Sequence, residues 1–173
     1  MTAKEFQKLL TRDRTDFLAH FLALLRQLKA DYCVIGGLAV NAYAEPVVTL
    51  DCNVVVVVDR LAELESALRA RYRVKRFAHS LNVTDPQSDL RVQIQTDDRY
   101  QEFLGRSRRR PVLGRSLPVA AVEDVLQGKV WAFLDETRRA SERQKDLADI
   151  ARLVEKHPAL RARLPAEVNR KLV

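Results

Sequence analysis

The run Tyr32-Cys33-Val34-Ile35-Gly36-Gly37-Leu38-Ala39-Val40-Asn41-Ala42-Tyr43, followed by Thr49-Leu50-Asp51-Cys52-Asn53-Val54-Val55-Val56-Val57-Val58, decides the fold of this 173-residue chain. A short β-type run is stopped by two glycines, Leu38 to Ala44 reads as a helix ending before Pro46, and Val47 to Val58 is almost wholly β-branched. Such an apolar run predicts a central strand covered on both faces. Side chains two apart share a strand face, so Asp51 and Asn53 project together, away from Leu50, Cys52 and Val54. A carboxylate there is costly unless it is paired, hydrogen-bonded or bound to a cation. Asp51 is therefore either a ligand-holding group or a buried acid paired with a core Arg or Lys. Gly36-Gly37 either lets the backbone approach a ligand and aim free amides at phosphate, or makes an ordinary tight turn.

Working outward, Ala3 to Leu28 carries Phe6, Leu9, Leu10, Phe17, Leu18, Phe21, Leu25 and Leu28 at helical spacing, with a break near Thr11 to Thr15. Downstream, Arg60 to Tyr72 reads as an amphipathic helix, and Arg73 to Ala78, Ser80 to Thr84 and Leu90 to Thr96 read as strands, with Asp85-Pro86-Gln87-Ser88 as a turn. Arg106 to Arg110, extended by Arg115, is a dense basic run in a loop or helix end. Val122 to Leu134 and Glu142 to Val154 are helical by period. The expectation is one α/β (α+β) domain over residues 1–173. It comprises N-terminal helices at about 1–30, a mixed-sheet core of four or five strands flanked by helices at 31–104, and C-terminal helices at 117–164.

Composition bounds the function. No stretch approaches the roughly 18 apolar residues of a membrane span, and the first eight residues carry charges where a signal peptide is apolar, so the expectation is a soluble cytoplasmic protein with no membrane partner. Cys33 and Cys52 lie in apolar runs with no zinc spacing and read as reduced structural thiols. Thirty basic against 23 acidic residues give a net charge of +7. That balance favours polyanionic partners, nucleic acid or nucleoside polyphosphates, unless the arginines simply solvate helices.

The order strand, Gly36-Gly37, helix with Asn41 and Tyr43, then Thr49-Leu50-Asp51-Cys52-Asn53 opening an apolar strand resembles the DNA-polymerase-β-like nucleotidyltransferase superfamily. More narrowly it is similar to the AbiEii/AbiGii-type toxin nucleotidyltransferases. The resemblance implies a nucleotidyltransferase-like fold in which Gly36 and Gly37 hold a triphosphate and Asp51, with the position of Asn53, holds Mg²⁺ or Mn²⁺. It extends to Lys129 and to Lys145-Asp146 in the C-terminal helices. The expected catalytic set is Asp51, Asn53 and Lys129. The expected nucleotide-binding set is Gly36, Gly37, Asn41, Thr49, Gln93, Gln95, Lys145 and Asp146. From the residues alone, Lys129 falls within the inward stripe of its helix and wants an anion, a phosphate or Asp146, or else snorkels at the edge. Asp146 and Asp149 could equally be helix-surface charges.

The sequence departs from the superfamily pattern where charge matters most. Two-metal phosphoryl transfer needs carboxylates to bind a hard cation and activate the attacking hydroxyl. The second acid is Asn53, and the strand expected to bring the third carries Arg91, Gln93 and Gln95. Gln93 and Gln95 can orient a base or ribose but cannot act as a general base. Asp97 ends the Gln face, Asp98 reads as the cap of the next helix, Asp89 flanks the strand, and His79 is a further candidate proton acceptor.

Two functions follow as expectations. One is a Mg²⁺-dependent transferase moving a nucleoside monophosphate from a nucleoside triphosphate to a hydroxyl, with RNA or tRNA favoured by the basic run. The other is a catalytically degenerate nucleotidyltransferase fold that binds a nucleotide, an RNA or an antitoxin-like partner protein. A plain RNA-binding domain on the Arg106 to Arg115 cluster is a third reading, with few aromatics for stacking.

Overall fold

The structure, a computed structural model, describes residues 1–172. Helix α1 (Ala3–Thr11) opens on a capping box, in which the Thr2 hydroxyl accepts from the Glu5 amide at 3.2 Å and the Glu5 carboxylate accepts from the Thr2 amide at 2.6 Å. The helix forms as its apolar spacing suggests, but the apolar residues Phe6, Leu9 and Leu10 are exposed while Gln7 and Thr11 are buried. Ala3 and Lys4 lie against Gly114, so the face docked on the molecule runs through Ala3, Gln7 and Thr11 at four-residue spacing. Helix α2 (Phe17–Gln27) begins where the Asp13 carboxylate accepts from the Phe17 amide at 2.9 Å, and it buries Phe17, Leu18, Phe21 and Leu25.

Strand β1 (Tyr32–Ile35) leads directly into α3 (Gly36–Asn41). The two glycines are therefore the first residues of the helix rather than a turn before it. Gly36 has φ +66°, and a Cβ there would stand 2.5 Å from the Asn53 side-chain nitrogen. Gly36→Ala is expected to lower stability by about 1.5 kcal/mol through left-handed backbone strain and displacement of Asn53, read by urea denaturation. Gly37→Ala, which meets nothing closer than 3.8 Å, should cost less.

The valine run is shorter as a strand than its composition suggests, because β2 spans Asp51–Val56. Asn41 accepts from the Val47 amide at 3.0 Å and donates to the Val47 carbonyl at 2.7 Å, while the Thr49 hydroxyl accepts from the Asp51 amide at 3.2 Å. Backbone groups of residues 47 and 51 thus bond to side chains where a longer strand would pair them in a ladder. Val47 and Val48 are exposed. Helix α4 (Val58–Arg69) follows, then β3 (Arg73–Arg76), β4 (Ser80–Thr84) and β5 (Arg91–Gln95).

The sheet has seven strands rather than four or five. After the short helix α5 (Phe103–Arg106), the basic run forms a hairpin of β6 (Arg108–Val112) and β7 (Arg115–Val119). Leu113 and Gly114 both have positive φ, 50° and 71°, the geometry of a two-residue turn whose twist suits a hairpin. Helices α6 (Val122–Leu134) and α7 (Ala140–Lys156) pack as a pair, and α8 (Ala166–Asn169) ends the fold. Strand order is β3-β4-β5-β2-β1-β7-β6, with β2 central, β2–β5 and β1–β7 parallel and the other pairs antiparallel. One hydrophobic cluster runs through the strands and helices α2 to α8. No helix among the described residues is long and apolar enough to cross a membrane.

Candidate functional site

Cross-strand register arranges the polar face of half the sheet into rows. Asp51 on β2 stands opposite Arg91 on β5, Arg91 opposite Thr84 on β4, and Thr84 opposite Arg73 on β3. One step on, Asn53, Gln93, Asn82 and Lys75 form a second row, and Val55, Gln95 and Ser80 a third. Because side chains alternate, Val92, Ile94, Leu81 and Val83 all face the other way, and all four are fully buried.

Asp51 occupies the first residue of β2, so its carboxylate is 43% exposed rather than sunk in a covered strand. Its partner is the Arg91 guanidinium, with Nε 2.8 Å from Oδ1, and Arg91 is itself 60% exposed. Beside the pair, Asn53 packs against Gly36, and Thr49 lies within 4 Å of where a Gly37 Cβ would stand. The structure therefore gathers Gly36, Gly37, Thr49, Asp51, Asn53 and Gln93 at one place. The buried side-chain oxygens of Asn53 and Asn82 have no hydrogen-bond donor. Each such orphan costs roughly 1–3 kcal/mol of lost solvation unless a donor reaches it.

Other candidates lie differently. Gln95 accepts from the Asp97 amide at 3.0 Å. Asp97, rather than Asp98, caps the following 3₁₀ turn by accepting from the Arg99 amide, and the Arg99 side chain binds Oδ1 at 3.2 Å and Oδ2 at 2.9 Å. That bond to Arg99 holds the Asp97 carboxyl below the usual range despite partial burial. Asp97 is thus a fixed anion, unsuited to accept a proton near neutrality. Since its folded value is depressed, the stabilisation is present above about pH 4, the unfolded value, and fades as pH falls through the folded one. Arg99→Gln should lose about 0.5–1 kcal/mol above pH 4, with the deficit narrowing as pH falls toward the part that comes from Arg99 stacking over Trp131 at 4.6 Å, read by thermal melts across the acid range. His79 is exposed at the β3–β4 turn.

Lys129 bonds Asp146 at 2.9 Å and Asp149 at 2.7 Å, and all three side chains are 14% exposed or less. Arg138 takes the other Asp146 oxygen at 2.8 Å, and Arg152 the other Asp149 oxygen at 2.7 Å. Arg152 also donates to Asn41 Oδ1 at 2.8 Å and to the Glu45 carbonyl. Asn41 is therefore the clasp of the segment leading to Thr49 and Asp51, and the charge cluster of α6 and α7 holds it from behind. Lys145 lies on the outer surface of α7, paired with Glu142 at 3.1 Å. Burial pushes the Cys33 and Cys52 thiols up to about 12, so neither is a nucleophile at neutral pH.

The two-metal centre implied by the resemblance can be tested on these donors, and they do not fit it. The first acid is engaged by Arg91, the second position offers an amide oxygen, and the third is Gln93. No group of three His, Cys, Asp or Glu side chains among the described residues could hold a metal ion. Reading by sequence overlooked Arg73, Lys75, Asn82 and the cationic part of Arg91. Their signal was available only through the antiparallel register of β3, β4 and β5, which brings distant residues to one face.

No family model matches the chain, and no curated protein matches it by sequence. Among solved structures it is similar to the solution structure of the antibiotic-resistance factor ANT(2'')-Ia, with TM-score 0.59 and 15% identity over 84% of this chain and 88% of that one. It is similar to the lincosamide antibiotic adenylyltransferase LnuA bound to lincomycin, with TM-score 0.54 and 13% identity over 79% and 95% of the two chains. The crystal structure of ANT(2'')-Ia with adenylyl-2''-tobramycin gives TM-score 0.54 and 14% identity over 85% and 97%. The seven-stranded mixed sheet flanked by helices thus has a nucleotidyltransferase-like fold.

Proposed function

We propose that this chain is a nucleotide-binding protein of nucleotidyltransferase-like fold that has lost metal-dependent nucleotidyl transfer. The observation that carries the reading is the Asp51–Arg91 ion pair, flanked by Asn53 and Gln93 where further acids would stand. An arginine on the only carboxylate of the rows leaves no anionic donor set for a hard cation and no general base beside a bound hydroxyl. The exposed Arg108, Arg109 and Arg110 on edge strand β6 support nucleic acid as a larger partner.

A second reading, a surviving slow transferase, is favoured by the exposure of the same pair. An ion pair open to water contributes at most about 1 kcal/mol, so Arg91 can leave Asp51 at little cost. Incubation with each α-labelled nucleoside triphosphate, Mg²⁺ or Mn²⁺ and total RNA separates the two. The expected result is no label on RNA, protein or small acceptors, with nucleotide retained by the protein in equilibrium dialysis. Incorporation that disappears in Asp51→Ala would establish the transferase instead.

A further inference from the structure

We infer that the polar face of β2, β5, β4 and β3 binds a nucleoside polyphosphate free of metal, with its phosphates on Arg91, Arg73 and Lys75 and its sugar or base donors on Asn53 and Asn82. The inference rests on the nucleotide-binding reading above and names how that site works. Three basic residues and one acid share the two rows, so the face is cationic where a metal-dependent site must be anionic. Arg73, Lys75 and Arg91 are exposed, and neither Arg73 nor Lys75 has a carboxylate partner among the described residues. Lys75 instead lies over the Phe77 ring, 5.0 Å from its centroid.

Adjacent strands lie about 4.8 Å apart and residues two apart on a strand about 6.7 Å, so the three cationic side chains rise from points within roughly 12 Å of each other, within side-chain reach of one polyphosphate. Guanidinium groups bind phosphate oxygens through paired donors, and Arg91 can exchange Asp51 for such an oxygen. The orphaned Asn53 and Asn82 oxygens are acceptors with no charge, and since both are buried in this structure the amides must turn toward the face to meet a ligand. They complement N–H and O–H donors, which a nucleoside has and an inorganic polyphosphate lacks. Mg²⁺ occupies the phosphate oxygens that the arginines need and is repelled by their charge, so it should weaken binding.

The test is calorimetric titration of the full chain with ATP, GTP, CTP and UTP in EDTA, repeated with saturating Mg²⁺ and with inorganic triphosphate. Expected are binding of at least one nucleotide in EDTA, severalfold weaker binding with Mg²⁺, and weaker binding of inorganic triphosphate. Arg91→Ala should weaken binding in EDTA by about tenfold, and Arg73→Ala with Lys75→Ala by a similar factor. Asn82→Ala should narrow the gap between the nucleotide and inorganic triphosphate, with Asn53 keeping the remainder. Arg163→Ala, an exposed change elsewhere, should leave affinity unchanged, and a matching loss there would reduce the effect to net charge and overturn the inference. Binding that requires Mg²⁺ and ignores Arg91→Ala overturns the metal-free mode while the nucleotide-binding reading survives. No binding of any nucleotide in either condition overturns both. Circular dichroism melts confirm that the surface variants are folded.

Discussion

Lys129→Met is expected to lower the unfolding free energy by about 3 kcal/mol, which for a chain of this size corresponds to a fall in melting temperature of roughly 6–12 °C. Lys129 bridges Asp146 and Asp149, whose side chains are 5% and 14% exposed. Removing it leaves two carboxylates 17 and 20 positions along the chain with one basic partner each, Arg138 and Arg152. The penalty is the uncompensated charge rather than lost packing, since Met fills much the same volume. It follows that Lys129→Met combined with Asp146→Leu should recover part of the loss, because deleting both ends of a buried pair costs far less than deleting one. Chemical denaturation of the parent, Lys129→Met, Asp146→Leu and the double variant measures this. A double variant less stable than the sum of its parts would show that the cluster contributes more than mutual neutralisation.

The same cluster illustrates what sequence could and could not reveal. The helical period placed Lys129 on an inward face and named Asp146 as one possible partner for its charge. Choosing between Asp146 and a phosphate takes the packing of α7 against α6, which no local pattern encodes. β1 and β2 are legible in the sequence because β-branched runs and strand alternation are local properties. Strand alternation was enough to put Asp51 and Asn53 on one face. Where β2 begins was not local, since it depends on Asn41 closing onto Val47 across five intervening residues.

The β6–β7 hairpin escaped because its turn is Leu113-Gly114, with Leu at positive φ where Asn or Asp would announce the turn, and because each strand contains a proline. Pro111 is tolerated on the outermost strand, where one edge needs no donor. The α1 stripe misled for a different reason. Hydrophobic period states which face of a helix is apolar, and here docking against Gly114 selected another face. The cationic rows were invisible because Arg73, Thr84, Arg91 and Asp51 meet only through three separate strand registers.

Arg152→Ala is expected to cost about 2–3 kcal/mol and to loosen the segment that carries Thr49 into the site. Arg152 joins α7 to the end of α3: one nitrogen binds Asp149, another binds Asn41 Oδ1 and the Glu45 carbonyl, and the side chain is 17% exposed. Asp149 keeps Lys129 after the change, so it is not stranded, and the energetic loss is smaller than for Lys129→Met. The local consequence is larger. Glu45, Pro46, Val47 and Val48 are all exposed, so few apolar contacts hold the segment once its polar clasp weakens. Protease cleavage between residues 44 and 50 should then accelerate by about tenfold or more under native conditions, ahead of global unfolding. Asn41→Ala, which removes both bonds to Val47, should give the same local cleavage with a smaller global cost. If Arg152→Ala lowered stability with no change in cleavage at this segment, the clasp would be ruled out as the element that positions Thr49 and Asp51. Nucleotide affinity would then depend on the strand rows alone.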